Sequence, residues 1–200
     1  DRIGPPGGVA AYDPFAEVIR FVRRYMEELR LMFHNSRGLA DEVKRRNYFR
    51  EILALSDIAG LCETNASSDP AKNFSAFAAA AASDPQLACD VWWTEGPTAS
   101  TGMALVIKRR LRATNVQKIY SDNTGHTLVI DLTVNDKLPL RIILSHAPPQ
   151  SGRQGNALRQ QYFERLAAEP RLAAPQRREV IWMGDFNMVE LPEYDGGQHK

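Results

Sequence analysis

The sequence predicts a layered α/β sandwich in which sheet packs on sheet and helices lie outside. Three observations carry that expectation. Helical patterns lie towards both ends of the chain, the middle is a run of short strands that follow one another as antiparallel neighbours, and the opening reads as a βαβ-type unit. A doubly wound parallel sheet would alternate strand and helix throughout, and this chain does not.

Taken in order, residues 1–11 are rich in Gly and Pro and form a lead-in. Asp13-Pro14 then supplies a helix start, because the N–H that proline lacks is unsatisfied in a first turn anyway; this helix runs to about Glu28. Residues 1–28 are thus an N-terminal extension with a packing or linker helix, and residues 29–200 form the globular domain. Residues 29–33 are a short apolar strand. Residues 41–55 follow as a helix with Phe49, Ile52 and Leu53 on one face, and 57–62 are a second short strand. Residues 65–83 are polar and then Ala-rich, which fits a loop and a helical turn driven by alanine's propensity.

The strand-rich middle comprises 89–93, 103–107 and 116–120, then a hairpin of 127–134 and 140–145 that turns at Asn135-Asp136. A helix over 156–168 places Leu158, Tyr162 and Leu166 at four-residue spacing. A loop rich in Pro and Arg leads to a last strand, 179–183. No internal repeat is visible.

Composition excludes several classes. Two hundred residues with 44% hydrophobic content can bury a core without staples, which excludes disorder as the bulk state. The net charge is only +1, so a polyanion would be met by local basic patches and not by the field of the whole molecule. The densest patch is Lys108-Arg109-Arg110-Leu111-Arg112, which either tracks a nucleic-acid backbone or is a solvated loop. Cys62 and Cys89 are isolated, without metal-ligand spacing; this argues against a zinc cluster and a disulfide framework, and for a reducing, intracellular compartment. The apolar stretch 76–82 is far shorter than the roughly 20 residues of a membrane span, and no signal-peptide pattern opens the sequence, so no membrane association is expected. The chain starts at Asp1 and ends on Gly-Gly-Gln-His-Lys without a closing element, and so reads as a piece of a longer reading frame.

Three predicted strands end in polar residues that can face one cleft. The first delivers Asn35, the second Glu63, and the last Asp185 and Asn187 within Gly184-Asp185-Phe186-Asn187. Strand ends converging on one rim are where α/β folds place ligands. Two carboxylates and two carboxamides form an oxygen-rich set that suits magnesium, with manganese as the alternative, better than zinc. Such an ion polarises a phosphoryl oxygen and generates hydroxide. Each residue also has a plain alternative: Asp185 and Asn187 as turn formers, Glu63 as a solvated loop start, and Asn35 as a cap before Gly38.

The ordered blocks 34–39 (HNSRGL), 57–64 (DIAGLCET), 102–108 (GMALVIK), 145–148 (SHAP) and 184–187 (GDFN) resemble the motifs of the endonuclease/exonuclease/phosphatase, or DNase I-like, superfamily. The basic helix after Gly38 and the APPQSGR segment are most similar to endonuclease domains of non-LTR retrotransposons. The resemblance spans about 29–187 and implies a four-layer α/β/β/α sandwich of two mixed sheets, here missing its last strands. It implies that Glu63 binds the divalent ion with Asn35 close by, that Asp185 activates the attacking water, and that Asn187 orients water and phosphate. Arg153, in the loop after SHAP, would contact substrate phosphate through its guanidinium, although a solvated arginine reads equally well.

Two features depart from the family pattern. His146 stands where the family usually has Tyr, and is read either as a phosphate donor or as a buried strand-end histidine. The family's closing Ser-Asp-His motif is absent, and His199 comes too soon after GDFN to replace it. The expected function is magnesium-dependent cleavage of DNA phosphodiesters by a fragment of a reverse-transcriptase polyprotein, nuclear if it serves a retroelement, with weak or no turnover in these 200 residues. The alternatives are a phosphatase or phosphodiesterase on small phosphoesters, and a non-catalytic remnant that binds nucleic acid or protein.

Overall fold

The computed structural model describes residues 29–39, 42–64, 84–94, 98, 101–149, 152–172 and 177–187. The chain divides into Asp1–Arg30 and Leu31–Lys200, and the account below concerns the second unit. The predicted helix over 13–28, the helical turn in 65–83 and His199 lie outside the described residues.

The elements are β1 (Leu31–Asn35), α1 (Glu42–Leu55), β2 (Ile58–Cys62), β3 (Cys89–Thr94), β4 (Met103–Lys108), β5 (Thr114–Ser121), β6 (Thr127–Val134), β7 (Leu138–His146), α2 (Gly152–Ala168) and β8 (Glu179–Asp185). They build two four-stranded sheets with orders β1-β2-β4-β3 and β5-β6-β7-β8. Each is mixed. β1 runs parallel to β2 while β2, β4 and β3 are antiparallel neighbours. β5, β6 and β7 are antiparallel, and β8 joins β7 in parallel.

The sheets face one another, with β2 against β7 and β8, β1 against β8, and β4 against β6. This explains why β2 and β4 are wholly buried apolar runs: one face meets the other sheet and the second meets α1. Phe49, Ile52 and Leu53 of α1 pack with Ala59, Leu61, Ala104 and Val106 on the outer face of the first sheet. Burial of each large side chain contributes roughly 1.5–3 kcal/mol. Tyr162 and Leu166 of α2 pack with Ala147 on the second sheet's outer face. Helix, sheet, sheet and helix make the four layers.

At Gly60 the two sheets approach closely. A Cβ there would lie 2.6 Å from Leu144 Cδ2 in β7 and 2.8 Å from Phe33 Cδ2 in β1, so only hydrogen fits.

The hairpin turns where predicted. Asn135 and Asp136 both have positive φ, 50° and 56°, and Lys137 N donates to Val134 O at 3.1 Å.

Several boundaries move. β1 begins two residues later than predicted and keeps His34 and Asn35 in register with Leu61 and Cys62. α2 begins at Gly152, so Arg153 lies in a first helical turn and not in a loop. β8 extends to Asp185, which makes Gly184 a strand residue. The reason is local: Gly184 pairs with Ser145, and a Cβ on it would meet Ser145 O at 2.5 Å. Glycine here allows close approach, and the polar residues that follow it leave from a strand end.

Candidate active site

β1, β2, β7 and β8 bring the polar residues together. β1 and β2 run parallel and end side by side, Asn35 opposite Cys62. Past the strands the two chains stay joined: Ser36 N donates to Cys62 O at 3.0 Å, Gly38 N to Glu63 O at 2.7 Å, and Leu39 N to Thr64 O at 2.9 Å. Ser36 Oγ adds a 3.0 Å bond to Glu63 O. This clamp holds Glu63 at φ 51°, a left-handed conformation that costs a residue with a Cβ energy. Asn35 Nδ2 then donates to Glu63 Oε1 at 2.8 Å, which fixes the carboxylate.

The second sheet contributes from the facing side. His146 and Asp185 end β7 and β8 in register with each other. His146 is buried, and its Nε2 lies 3.5 Å from Glu63 Oε1, so the two sheets meet through this pair. Its Nδ1 has no hydrogen-bond partner among the described residues, and neither has Nδ1 of His126, whose ring centroid is 5.3 Å away. Burial, and then the neighbouring His126, hold the His146 pKa below its ordinary 6.5, against the opposing pull of Glu63 and Asp185. The imidazole is therefore neutral at neutral pH, a donor through one nitrogen only.

Asn187 is also left-handed, at φ 46°, a conformation that asparagine tolerates. Its N–H donates to Asp185 Oδ1 at 3.0 Å, its Nδ2 to Ala147 O at 2.6 Å, and its carbonyl accepts from Arg159 Nη1 at 2.7 Å. Asn187 thus ties the strand ends to α2 and orients Asp185. The predicted Asn35, Glu63, His146, Asp185 and Asn187 are brought together. Arg153 lies on α2, and its side chain is outside the described residues.

The basic run is elsewhere. Lys108 lies at the far end of β2, its N–H donating to Asp57 O at 2.9 Å, roughly 20 Å by strand length from Glu63. Lys108 Nζ and Arg110 Nη2 lie 3.6 Å and 2.7 Å from the buried carboxylate of Asp57, and Arg109 Nε 2.9 Å from Asp90. The run serves ion pairs of the fold. Trp93 of β3 packs edge-on to Phe49 of α1, with ring centroids 6.5 Å apart.

Three residues missed in the sequence also belong here. Cys62 precedes Glu63, and its thiol, the His146 imidazole and the Asp185 carboxylate offer atoms within 4.8 Å of one another. His126 stacks near His146, and Arg159 holds Asn187. No local spacing announces them, since all three meet the site across strands or layers.

The sequence matches the Endonuclease/Exonuclease/phosphatase family over residues 32–192, and the chain belongs to that family. Its members are hydrolytic enzymes that typically depend on a divalent metal. A sequence search of curated proteins found no match. Among solved structures, TDP2 from Caenorhabditis elegans is similar at 16% identity and a TM-score of 0.51, over 90% of this chain and 56% of that one. The catalytic domain of human Nocturnin with bound sulfate is similar at 17% identity and a TM-score of 0.45, over 72% and 57%. A family protein from Bacteroides thetaiotaomicron is similar at 12% identity and a TM-score of 0.43, over 78% and 61%. This chain spans between 43% and 61% of the length of such structures. The two facing mixed sheets are those of the DNase I-like fold.

The residues present fit a hard divalent ion. Glu63, Asn35 and Asp185 supply oxygen donors at one rim, and the left-handed backbone of Glu63 carries its carboxylate to that rim.

Proposed function

We propose that this chain is the nuclease part of a metal-dependent phosphodiester hydrolase that cuts DNA internally, similar to the endonuclease domains of non-LTR retrotransposons and belonging to a longer reverse-transcriptase polyprotein. The observation that carries the reading is the meeting of Glu63 and Asn35 from one sheet with His146 and Asp185 from the other, two carboxylates and their hydrogen-bonding neighbours on one rim.

In this reading Glu63 and Asn35 hold Mg2+, or Mn2+ in its place, which polarises a phosphoryl oxygen and favours hydroxide formation. Asp185, oriented by the Asn187 N–H, accepts the proton of the attacking water. The water's O–H bond breaks to Asp185, a P–O bond forms, and the bond to the leaving oxygen breaks as that oxygen takes a proton from solvent. His146, as a neutral imidazole, donates one N–H to a non-bridging phosphate oxygen. Arg153 contacts the substrate phosphate. Asn187 keeps Asp185 and the Ala147 carbonyl in place while charge builds on phosphorus.

The substrate class is tested with supercoiled plasmid, nucleotides and inositol phosphates under Mg2+, using the full-length gene product. Nicking of plasmid without release of phosphate from the small esters is expected. Hydrolysis of inositol phosphates with the plasmid left intact overturns the nuclease reading in favour of a phosphatase.

A further inference from the structure

The sequence holds no zinc-ligand spacing, yet the fold assembles a mixed donor set. Cys62, His146 and Asp185 come from three strands of two sheets, with ligand atoms within 4.8 Å of one another. Around a tetrahedral zinc ion, bond lengths of about 2.0–2.3 Å put ligand atoms roughly 3.5 Å apart, so closure on the order of 1 Å completes a three-point site. A second, independent observation points to a ligand. His146 is 3% exposed and its Nδ1 has no partner among the described residues, a donor or acceptor left unsatisfied where burial should forbid it.

We propose that Cys62, His146 and Asp185, with solvent as fourth ligand, form a binding site for a borderline-to-soft divalent ion of the zinc type, and that its occupation shuts the rim to catalysis. Thiolate and imidazole select zinc over magnesium, whereas the oxygens of Glu63 and Asn35 serve the harder ion. The two occupations compete because Asp185 belongs to both. On binding, the Cys62 S–H gives its proton to solvent and an S–metal bond forms. In the metal-free protein that thiol is pushed up to about 12 by burial, then by Asp185 and Glu63. The same two carboxylates attract a cation, whose charge reverses their effect on the thiol. The inhibitory consequence rests on the nuclease reading; the binding does not.

The test uses the 200-residue chain and metal alone. Cobalt(II), a spectroscopic stand-in for zinc, should give one equivalent of binding and a thiolate-to-metal charge-transfer band, which zinc removes and excess magnesium does not. Cys62→Ser, which keeps the side-chain volume, should abolish the band and weaken zinc binding about 100-fold or more, since even the outer-shell partners of a site are worth 10–100-fold. Asp185→Asn should weaken binding with the band retained at higher cobalt, and Cys89→Ala should leave both unchanged. Zinc should raise the thermal midpoint of the parent chain and of Cys89→Ala, but not of Cys62→Ser. A band that survives Cys62→Ser, or no cobalt binding by a folded parent chain, overturns the proposal. Cobalt binding by this chain alongside a failure of the full-length gene product to nick plasmid under Mg2+ would overturn the nuclease reading and leave this site standing.

Discussion

Glu63 sits at φ 51°, where an L side chain is strained, and it is held there by bonds to its own carbonyl from Gly38 N at 2.7 Å and Ser36 Oγ at 3.0 Å. Comparing Glu63→Gly with Glu63→Ala isolates that strain, because both lose the carboxylate and its 2.8 Å bond from Asn35. A left-handed residue with a Cβ costs about 1–2 kcal/mol. Glycine returns roughly 0.5–1 kcal/mol of this through the extra freedom of its unfolded chain. The glycine variant should therefore be the more stable by about 0.5–1 kcal/mol, the reverse of the usual order at a strand end. For a domain of this size that is a difference of roughly 1–4 °C in thermal midpoint. Paired thermal and urea melts followed by circular dichroism measure it. An alanine variant equal to or more stable than the glycine variant would show that the backbone at Glu63 is unstrained, and the case for a residue held at functional cost would fall.

Three further predictions concern the frame around the site. Gly60→Ala forces a methyl against Leu144 and Phe33 and should destabilise by about 1–2 kcal/mol, the overpacking cost less the entropic gain; an unchanged urea midpoint contradicts the close approach of the sheets. Asp57→Ala removes the carboxylate shared by buried Lys108 and Arg110 and should cost about 3 kcal/mol or more, whereas a loss near zero would mean that the basic run is not committed to the fold. Cys89 is pushed up from 9.0 to about 12, first by burial and then by Asp90. Because its folded-state pKa is raised, the thiol's contribution is complete below pH 9.0 and is lost as pH rises towards 12. Stability should thus fall in that window and less so in Cys89→Ala, and iodoacetamide should label Cys89 at neutral pH only after unfolding.

The sandwich was legible because its signals are local. The apolar runs of β2 and β4, the Asn135-Asp136 turn and the face of Phe49, Ile52 and Leu53 each announce their element within a few residues. The site was legible to the extent that it sits at strand ends: Asn35, Glu63, Asp185 and Asn187 all follow or close apolar strands. What depended on pairing across layers was not legible. The contact of His146 with Glu63, the thiol of Cys62 beside Asp185, and the hold of Arg159 on Asn187 join residues 28 to 123 positions apart. The ion pairs of the basic run were not legible for the same reason, since its partner Asp57 lies some 50 residues away in sequence, across the strand pairing.

The central claim is that Glu63 and Asp185 face one phosphodiester across the two sheets. The most direct measurement is the rate of plasmid nicking, with and without Mg2+, by the full-length gene product, beside its Glu63→Ala and Asp185→Ala variants. The account predicts magnesium-dependent nicking that falls about 100-fold or more in each variant. Nicking that persists without a divalent ion, or that survives Asp185→Ala, would contradict it.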